Sequence, residues 1–338
     1  PAAARRAAGE AETPTVEDLK KVRWVPQPCV DFFEHLRKAR AAEPALATEE
    51  EALSLKNDGA AANKKILSGL GGLPINDDEV DWDATWNRFL AGEPTTLNPI
   101  FASSRYEQWL NEIIFPVVPV GPDWKLDHFG DLAVIESWEA SEDHLMDKIV
   151  FRGDLSWSDG KPLTAYDVEF SWKTLLDKRI RVSAFRQLAE GLRDVKAYDA
   201  RTVVYFQKEA FPTNQMHLHW PILPRHVIGP CLEADPTLQN CKFNREPITC
   251  APYKFVSWAP NQEIVVERCE EWYQNAQGQR IRPKPFFKRI RFRILPDNTS
   301  RLLAFKTGQI DEIQLDSEQW TKETTGAEFY MKNTKASG

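Results

Sequence analysis

The sequence has few of the residues from which metal centres and nucleic-acid surfaces are built. Of 338 residues only six are His and five are Cys, and no Cys-x-x-Cys pair occurs, which argues against a zinc knuckle. The 43 Lys and Arg residues are outnumbered by 50 Asp and Glu residues, so the net charge is −7. Because a nucleic-acid surface usually needs a basic excess, nucleic acid is not an expected partner.

Several sequence signatures are also missing. No apolar run reaches the roughly 20 residues of a membrane-spanning helix. We find no His-Glu-x-x-His, no Gly-x-Ser-x-Gly and no phosphate-binding loop, the usual signs of common enzyme classes. Asp159 and Asp167 are explained by a turn and a helix start rather than by a catalytic pair. The sequence therefore predicts neither an enzyme nor a bound cofactor.

The chain begins with Pro1 rather than Met, and its first residues contain no apolar signal region. We therefore expect a processed or partial chain. Residues 1–15 are rich in Ala, Arg and Glu and are expected to be disordered. Residues 16–80 are predicted to form a helical extension. The apolar stripe of Val30, Phe33 and Leu36 and a later segment, 57–72, that ends in glycines favour this interpretation.

From residue 81 the pattern becomes mixed α/β. Twelve Trp residues suit a deep core or a ligand cleft, because aromatic side chains offer large rigid contact areas. A helix is predicted in SSRYEQWLNEIIF, and another in NTSRLLAFK that stops at Gly308 before a further strand. Strands and hairpins are predicted in ATWNRFLAG, LAVIESWEAS, KIVFRGDL, VKAYDARTVVYFQK, APYKFVSWAPNQEIVVERCEEWY and KRIRFRILP.

One stretch, FRGDLSWSDGKPLTAYDVEFSWKTLLD (residues 151–177), contains several turn and helix-capping signals close together. The sequence Ser158-Asp159-Gly160 predicts a turn, since Gly tolerates a positive φ. Thr164 is a good helix N-cap, and Asp167 three residues later completes a variant of the capping box. The pattern therefore predicts a strand, a turn and a docked helix, and no reactive site.

This stretch resembles the signature of the extracellular solute-binding proteins of peptide and nickel ABC importers, the family of the oligopeptide- and dipeptide-binding proteins. Four other segments resemble the same family in the same order, and together the matches cover about residues 83–320. These segments are TLNPIFASS, LAVIESWEASEDHLMDKIVFRGDLSWSDG, ITCAPYKFVSWAPNQEIVVERCEEWY and RIRFRILPDNTSRLLAFKTGQIDEIQL. One such match is weak, whereas five collinear matches are specific.

The resemblance implies an α/β, periplasmic-binding-protein-like fold of type II, with mixed sheets and two lobes joined by a hinge. It also implies that the second lobe is largely missing, so the chain is expected to be truncated at its C-terminus. Cys250 and Ala251 replace the usual glycines of the family, which predicts an altered local backbone. The expected divisions are residues 81–114 as the start of the first lobe, 115–212 as an inserted subdomain, 213–290 as the first lobe continued, and 291–338 as the start of the second lobe.

By resemblance, the protein is expected to be the substrate-binding component of an ABC importer. It would capture a peptide or a related small solute between two lobes and deliver it to permease subunits in the membrane, without chemistry. The expected location is the periplasm or cell envelope, with or without a lipid anchor. The alternatives are a sensor, a chaperone-like binder or a receptor for nickel, haem or sugars, since fold does not fix ligand; a hydrolase and a non-functional fragment rank lower.

The loop after TLNP lies at the cleft edge in the resemblance, which makes Ala102, Ser103, Ser104 and Arg105 candidate ligand contacts. Polar backbone and Ser hydroxyls suit strand-like pairing with a peptide, and Arg105 suits a carboxylate. The alternative is a solvated loop that feeds a helix, with Ser103 as its N-cap.

Two further candidates are Phe185 and His217. Phe185 forms either an aromatic wall of the cleft or part of the core. His217 is predicted to share a strand face with His219 and to line the cleft. As a metal site this pair lacks further ligands nearby, so no metal is expected.

The cysteines allow two pairings. Cys231 and Cys241 bracket the polar loop CLEADPTLQNC and can close it with a disulfide in an oxidising compartment. Cys250 and Cys269 flank a predicted hairpin and can also face each other. The alternative, five unrelated thiols, stays open at this point.

Overall fold

The structure is a computed structural model that describes residues 13–32, 34–35, 38, 78, 80–115, 118–122, 127–275 and 277–323. These residues divide into two compact units. Unit 1 takes the described residues of Pro1–Asp31, Val117–Leu155 and Lys161–Cys241, and unit 2 those of Phe32–Pro116, Ser156–Gly160 and Lys242–Gly338. Within the described ranges, no helix has the length and apolar character that crossing a membrane requires.

The described strands, in chain order, are β1 (Trp24–Pro26), β2 (Cys29–Val30), β3 (Thr85–Leu90), β4 (Val120–Pro122), β5 (His128–Asp131), β6 (Ile135–Ser141), β7 (Met146–Phe151), β8 (Leu192–Ala197), β9 (Thr202–Gln207), β10 (Tyr253–Ala259), β11 (Glu263–Arg268) and β12 (Arg289–Ile294). The described helices are α1 (Val16–Lys20), α2 (Arg105–Ile114), α3 (Ala165–Leu176), α4 (Ser183–Glu190), α5 (Arg225–Ala234), α6 (Glu270–Tyr273), α7 (Asn298–Lys306) and α8 (Ser317–Glu323). Short 3₁₀ helices span Pro99–Phe101, Asn214–Leu218 and Lys242–Asn244.

Unit 1 is built on an antiparallel sheet of order β1-β6-β7-β9-β8 and a smaller sheet of order β2-β5-β4. Along β7 every second residue is buried, which places Asp147, Ile149 and Phe151 on one face. This period-2 alternation is what a sheet covered on one side produces. Helix α3 packs against β8 and β9 and covers part of this sheet.

Unit 2 is built on a sheet of order β10-β11-β12-β3, in which β12 runs parallel to β3 and the other pairs are antiparallel. Ile290, Phe292 and Ile294 are buried along β12, as their alternation in the sequence predicts. Helix α2 packs against β10 through Leu110 and Ile114, which join the main core. That core consists of Leu90, Leu97, Leu110, Ile114, Tyr253, Ile264, Val266, Ile290 and Phe292.

The turn predicted at residues 158–160 is confirmed. Gly160 has a φ of +83°, a conformation that glycine adopts at little cost, and its N–H donates to the carbonyl oxygen of Trp157. The N–H of Ser158 donates to the carbonyl oxygen of Thr249 at 2.7 Å, and the N–H of Thr249 donates to Ser158 Oγ at 3.0 Å. This reciprocal pair fixes the turn within unit 2.

The predicted helix start at Thr164 is also confirmed, and its acidic residue has a second role. Asp167 Oδ2 accepts from the N–H and the hydroxyl of Thr164 at 2.8 and 2.9 Å. Its Oδ1 accepts from the N–H of Arg225, the first residue of α5, at 2.9 Å. Asp167 is only 4% exposed, so one buried carboxylate ties together the beginnings of α3 and α5.

The predicted helical extension is wrong for residues 24–30, whereas Phe32, Glu34, His35 and Lys38 are helical as expected. Residues 24–30 contain β1, which pairs with β6, and β2, which pairs with β5. Pro26 and Pro28 cannot donate helix hydrogen bonds, and Pro26 is tolerated because β1 is an edge strand. Thr13 and Thr15, in the range expected to be disordered, make hydrogen bonds to Asp194 and Asp18. Residues 1–12, Phe33, Leu36 and the glycine-rich segment lie outside the described residues.

Two other details differ from the sequence interpretation. His217 lies in the 3₁₀ helix Asn214–Leu218, and His219 follows it, so the two do not share a strand face. No strand follows Gly308 in the described range. The N–H of Asp311 donates to the carbonyl oxygen of Asn87 at the edge of β3. The N–H of Asn87, however, donates to the Asp311 carboxylate and not to a backbone carbonyl, so the ladder of a strand does not form. The altered backbone expected at Cys250 and Ala251 stays a prediction, and neither is among the described residues with positive φ.

The expected division of the first lobe does not coincide with the units. Residues 213–241 group with the inserted segment in unit 1 rather than with the residues that follow them. Strand β12 and the described residues after it belong to unit 2. The onset of a second lobe at residue 291 stays a prediction.

Cys231 and Cys241 form a disulfide in the structure, with their Cα atoms 5.5 Å apart. The other described cysteines, Cys29, Cys250 and Cys269, are not in disulfides, so the pairing of Cys250 with Cys269 is not formed.

We expect three of the five cysteines to be alkylated when protein prepared under oxidising conditions is denatured without reductant, because the disulfide protects two thiols. Intact-mass spectrometry after iodoacetamide treatment would count them. Reduction should raise the count to five, and the Cys231→Ser variant without reductant should give four. Five modified cysteines before reduction would contradict the disulfide.

Candidate ligand-binding site

The loop that contains the candidate residues is anchored within unit 2 by Asn98 and Asn244. The side chain of Asn98 is fully buried; its Nδ2 donates to Asn244 Oδ1 at 3.0 Å, and its Oδ1 accepts from the N–H of Ile100 at 3.3 Å. The N–H of Leu97 donates to the carbonyl oxygen of Asn244 at 2.7 Å. Buried polar groups that are paired in this way hold a loop in one path.

Glu107 organises the other end of the loop. This residue is 1% exposed, and Oε1 accepts from the N–H and the hydroxyl of Thr95 at 2.8 and 2.6 Å. Oε2 accepts from the N–H groups of Ser103 and Ser104, each at 2.8 Å. Ser104 Oγ accepts from the N–H of Glu107, which makes Ser104, and not Ser103, the N-cap of α2.

These hydrogen bonds determine the ionisation of Glu107. Desolvation by burial raises its pKa, but the donors from Thr95, Ser104 and Ser103 together lower the pKa to about 2. The carboxylate is therefore charged throughout the neutral range and acts as the fixed acceptor of the loop. Glu107 was not among the residues singled out from the sequence, although the Ser-x-x-Glu spacing of the capping box is visible there.

The candidate residues of this loop therefore have fewer free N–H donors for a ligand than the sequence suggests. The N–H groups of Ser103 and Ser104 are occupied by Glu107, and the N–H of Ala102 donates to the carbonyl oxygen of Pro99 at 3.4 Å. Arg105 is exposed, and its guanidinium carbon lies 4.9 Å from the ring centroid of Trp109. The loop can therefore present carbonyl oxygens, hydroxyls and one cation held over an aromatic ring.

Phe185 and His217 belong to unit 1, on neighbouring elements. Phe185 is half-buried on α4, which packs against the 3₁₀ helix that carries His217. His217 Nδ1 lies 2.9 Å from Gln207 Oε1, and a Cβ added to Gly191 would lie 2.3 Å from His217 Nε2. Burial lowers the pKa of His217, so the neutral form is favoured. His217 is thus held by packing and a hydrogen bond inside unit 1.

Comparison with known proteins identifies the family. The profile of the bacterial extracellular solute-binding proteins, family 5 (middle), matches residues 132–337, more than half of the chain. The chain belongs to family 5 of these proteins. The match confirms the resemblance inferred from the five collinear segments.

Two relatives of known name illustrate how far the similarity extends. Over 224 residues the chain is 24% identical to the oligopeptide-binding protein AppA of Bacillus subtilis, covering 65% of this chain and 38% of AppA. Over 176 residues it is 30% identical to the nickel-binding periplasmic protein of Escherichia coli, covering 52% of this chain and 31% of that protein. The matched part of the chain thus spans less than half the length of either family 5 relative.

Solved structures confirm the predicted fold class. The structure of AppA in complex with a nonapeptide superposes with a TM-score of 0.61 and 21% identity, covering 74% of this chain and 47% of AppA. The substrate-binding protein CtaP from Listeria monocytogenes gives a TM-score of 0.59 and 25% identity, covering 73% of this chain and 47% of CtaP. The chain therefore has the periplasmic-binding-protein fold of family 5 over about three quarters of its length.

We expect Glu107→Gln to lower the free energy of unfolding at pH 7 by about 2 kcal/mol, since a buried charged acceptor is lost and an amide NH₂ meets N–H donors. The folded-state pKa of about 2 lies below the ordinary 4.5. The contribution of the carboxylate is therefore complete above pH 4.5 and is lost as the pH falls towards 2.

Urea denaturation of both proteins at pH 7, 4 and 2.5 would measure this difference. The gap between wild type and variant should shrink with falling pH. The control is Glu112→Gln, an exposed carboxylate on the same helix, for which little change is expected. A gap that stays constant from pH 7 to 2.5 would refute the role of the Glu107 charge.

Proposed function

We propose that the protein to which this chain belongs is the substrate-binding component of an ABC importer that captures peptides. The observation that carries this proposal is the family 5 match over residues 132–337. Relatives of the chain are named oligopeptide-binding and dipeptide-binding proteins. In this function the protein closes two lobes over its ligand and passes it to membrane permease subunits, and it carries out no chemistry of its own.

The loop from Ala102 to Arg105 is proposed as one edge of the peptide site. Because Glu107 occupies the N–H groups of Ser103 and Ser104, recognition through this loop relies on its carbonyl oxygens and on Arg105. Carbonyl oxygens accept from the N–H groups of an extended peptide whatever its side chains are. Arg105 supplies a cation for a peptide carboxylate. Phe185 and His217, which belong to unit 1, remain candidate ligand contacts that are predicted from the sequence.

The proposed location is the cell envelope, where family 5 proteins such as the nickel-binding periplasmic protein of E. coli are named. The disulfide between Cys231 and Cys241 supports this location, since disulfides persist in oxidising compartments. Attachment by a lipid anchor remains a prediction.

A second candidate ligand is a nickel chelate. It is favoured by the 30% identity to the nickel-binding periplasmic protein of E. coli, a higher identity than that to AppA. The described residues contain no group of three or more His, Cys, Asp and Glu side chains able to hold a metal ion. Nickel would therefore have to arrive within a small chelator rather than as a bare ion held by these residues.

Isothermal titration calorimetry on the product of the full reading frame tests the function. The titrants are peptide pools of two to ten residues and, separately, nickel with histidine. Saturable binding of a peptide pool supports peptide capture. Binding of the nickel chelate alone moves the protein to the second candidate, and the absence of binding to every peptide pool overturns the peptide proposal.

We expect Arg105→Ala to weaken peptide binding about tenfold, the loss of a charge-assisted hydrogen bond, without lowering the thermal stability of the unliganded protein. Arg105→Lys keeps the charge and should retain part of the affinity. Gln108→Ala, an exposed position on the same helix, is the control. An equal loss of unliganded stability in Arg105→Ala would assign Arg105 to the fold instead of the ligand.

A further inference from the structure

Unit 1 contains a cavity of about 580 Å³, within the size range of small-molecule sites. Its wall includes polar and aromatic side chains from five parts of unit 1: the residues after β1, His128 of β5, strands β6 and β7, the turn between β6 and β7, and the segment after β9. We call it the Asp147 cavity. The residues that matter for its chemistry are Gln27, Trp138, His144, Asp147, Phe211 and Asn214.

Part of the wall comes from the segment that precedes the family match. Strand β1 pairs with β6, and the N–H of Gln27 donates to the carbonyl oxygen of Trp138 at 2.9 Å. Gln27 and Pro28 line the cavity but lie before residue 132, where the match to family 5 begins. The family profile therefore does not describe this wall.

Asp147 gives the cavity a carboxyl group held in a dry setting. The residue is 6% exposed; Oδ1 accepts from Trp138 Nε1 at 3.0 Å, and Oδ2 accepts from Gln207 Nε2 at 2.9 Å. A carboxylate has about four acceptor positions, so these two donors leave capacity for a ligand. Burial raises the pKa of Asp147, and the hydrogen bonds from Gln207 and Trp138 oppose that rise only in part.

The surroundings of Asp147 supply no fixed cation. Neither Lys nor Arg occurs among the described residues that line the cavity. The ammonium group of Lys148, the next residue, pairs with Glu139 at 2.6 Å. The titratable neighbours of Asp147 are His144 and His217, whose charges would lower its pKa, and Tyr205, whose pKa is raised by burial and further by Asp147. A cationic ligand would therefore meet a carboxyl group that has hydrogen-bond donors but no Lys or Arg partner among the described residues of the wall.

Asn214 supplies a second acceptor in the same wall. It is 6% exposed, and its Nδ2 donates to the carbonyl oxygens of His144 and Glu209 at 3.2 and 2.9 Å. These two acceptors fix which end of the amide is nitrogen. Its Oδ1 has no hydrogen-bond donor within the described part of the chain, a costly state for a buried acceptor that a ligand donor would relieve.

Aromatic rings complete the chemistry. Trp138 and Phe211 line the cavity, and Phe211 is 56% exposed, which is high for a phenylalanine. Ring faces attract ammonium groups, most strongly where water is excluded. An anion would meet the acceptor atoms of Asp147 and Asn214 without a Lys or Arg in the described wall to balance its charge, and the described residues show no cluster suited to a metal ion. A small organic cation is the class of ligand that remains.

We propose that the Asp147 cavity binds a protonated aliphatic amine, with the ammonium group held by the acceptors Asp147 and Asn214 and its carbon chain against Trp138 and Phe211. This site goes beyond peptide capture, because it uses none of the residues from Ala102 to Arg105 and needs no peptide bond in its ligand.

The test is calorimetric titration of the protein with n-butylammonium and 2-phenylethylammonium chloride at constant ionic strength. Neutral probes of the same shape, 1-butanol and 2-phenylethanol, and the anion butyrate are titrated in parallel. We expect saturable binding of the ammonium probes with one site per chain and at least about tenfold weaker binding of the neutral and anionic probes. Equal binding of ammonium and neutral probes, or no binding of either ammonium probe, overturns the proposal.

Two variants assign the binding to this cavity. Asp147→Asn should weaken ammonium binding at least about tenfold, and Phe211→Ala about three- to tenfold. Because Phe211 is largely exposed, its variant should fold even where Asp147→Asn does not. The control is Glu142→Gln, an exposed carboxylate in the turn between β6 and β7 that pairs with Arg23, and it should bind as wild type does. Unchanged affinity in Phe211→Ala would overturn the assignment.

These outcomes are independent of peptide capture. Loss of ammonium binding in the variants with peptide binding intact supports two separate sites. Arg105→Ala should leave ammonium binding unchanged, and a parallel loss of both ligands in that variant would show that the amine is bound at the peptide site instead.

Discussion

The need of a buried carboxylate for hydrogen-bond donors is the constraint on which both units depend. A charge removed from water is costly unless nearby groups replace its hydration. In unit 2, Glu107 meets this need with donors from two separate loop segments. In unit 1, Asp167 meets it with donors from the starts of α3 and α5. In each case one side chain ties two segments of the chain together.

This constraint also decides what the candidate loop can offer. Backbone N–H groups in an exposed loop would be the natural donors to a ligand carboxylate, but Ser103 and Ser104 direct theirs to Glu107. The loop is therefore rigid and rich in acceptors, and its positive charge is confined to Arg105 above Trp109. Such a surface suits the N–H groups of an extended peptide, with one cation to give direction.

Asp147 satisfies the same constraint in a different way. Its donors are side chains, the indole of Trp138 and the amide of Gln207, and not the backbone of a loop that needs an anchor. The hydrogen bonds of Glu107 and Asp167 explain the shape of the chain around them. The hydrogen bonds of Asp147 leave acceptor positions free beside a cavity with aromatic walls. The ligand proposed for this site is therefore inferred from the side chains of the cavity and not from the family fold.

The sequence by itself determined the family, the hairpins β8–β9 and β10–β11, the turn at Gly160 and the capping residues of α3. The hairpins, the turn and the cap depend on residues a few positions apart, so the spacing within one short segment predicts them. Only the tertiary structure decided that residues 24–30 are strands, that His217 lies in a 3₁₀ helix, and that Gln27 helps to enclose the Asp147 cavity. A three-residue strand such as β1 gains its stability from a partner more than a hundred residues away, and no local pattern encodes that partner.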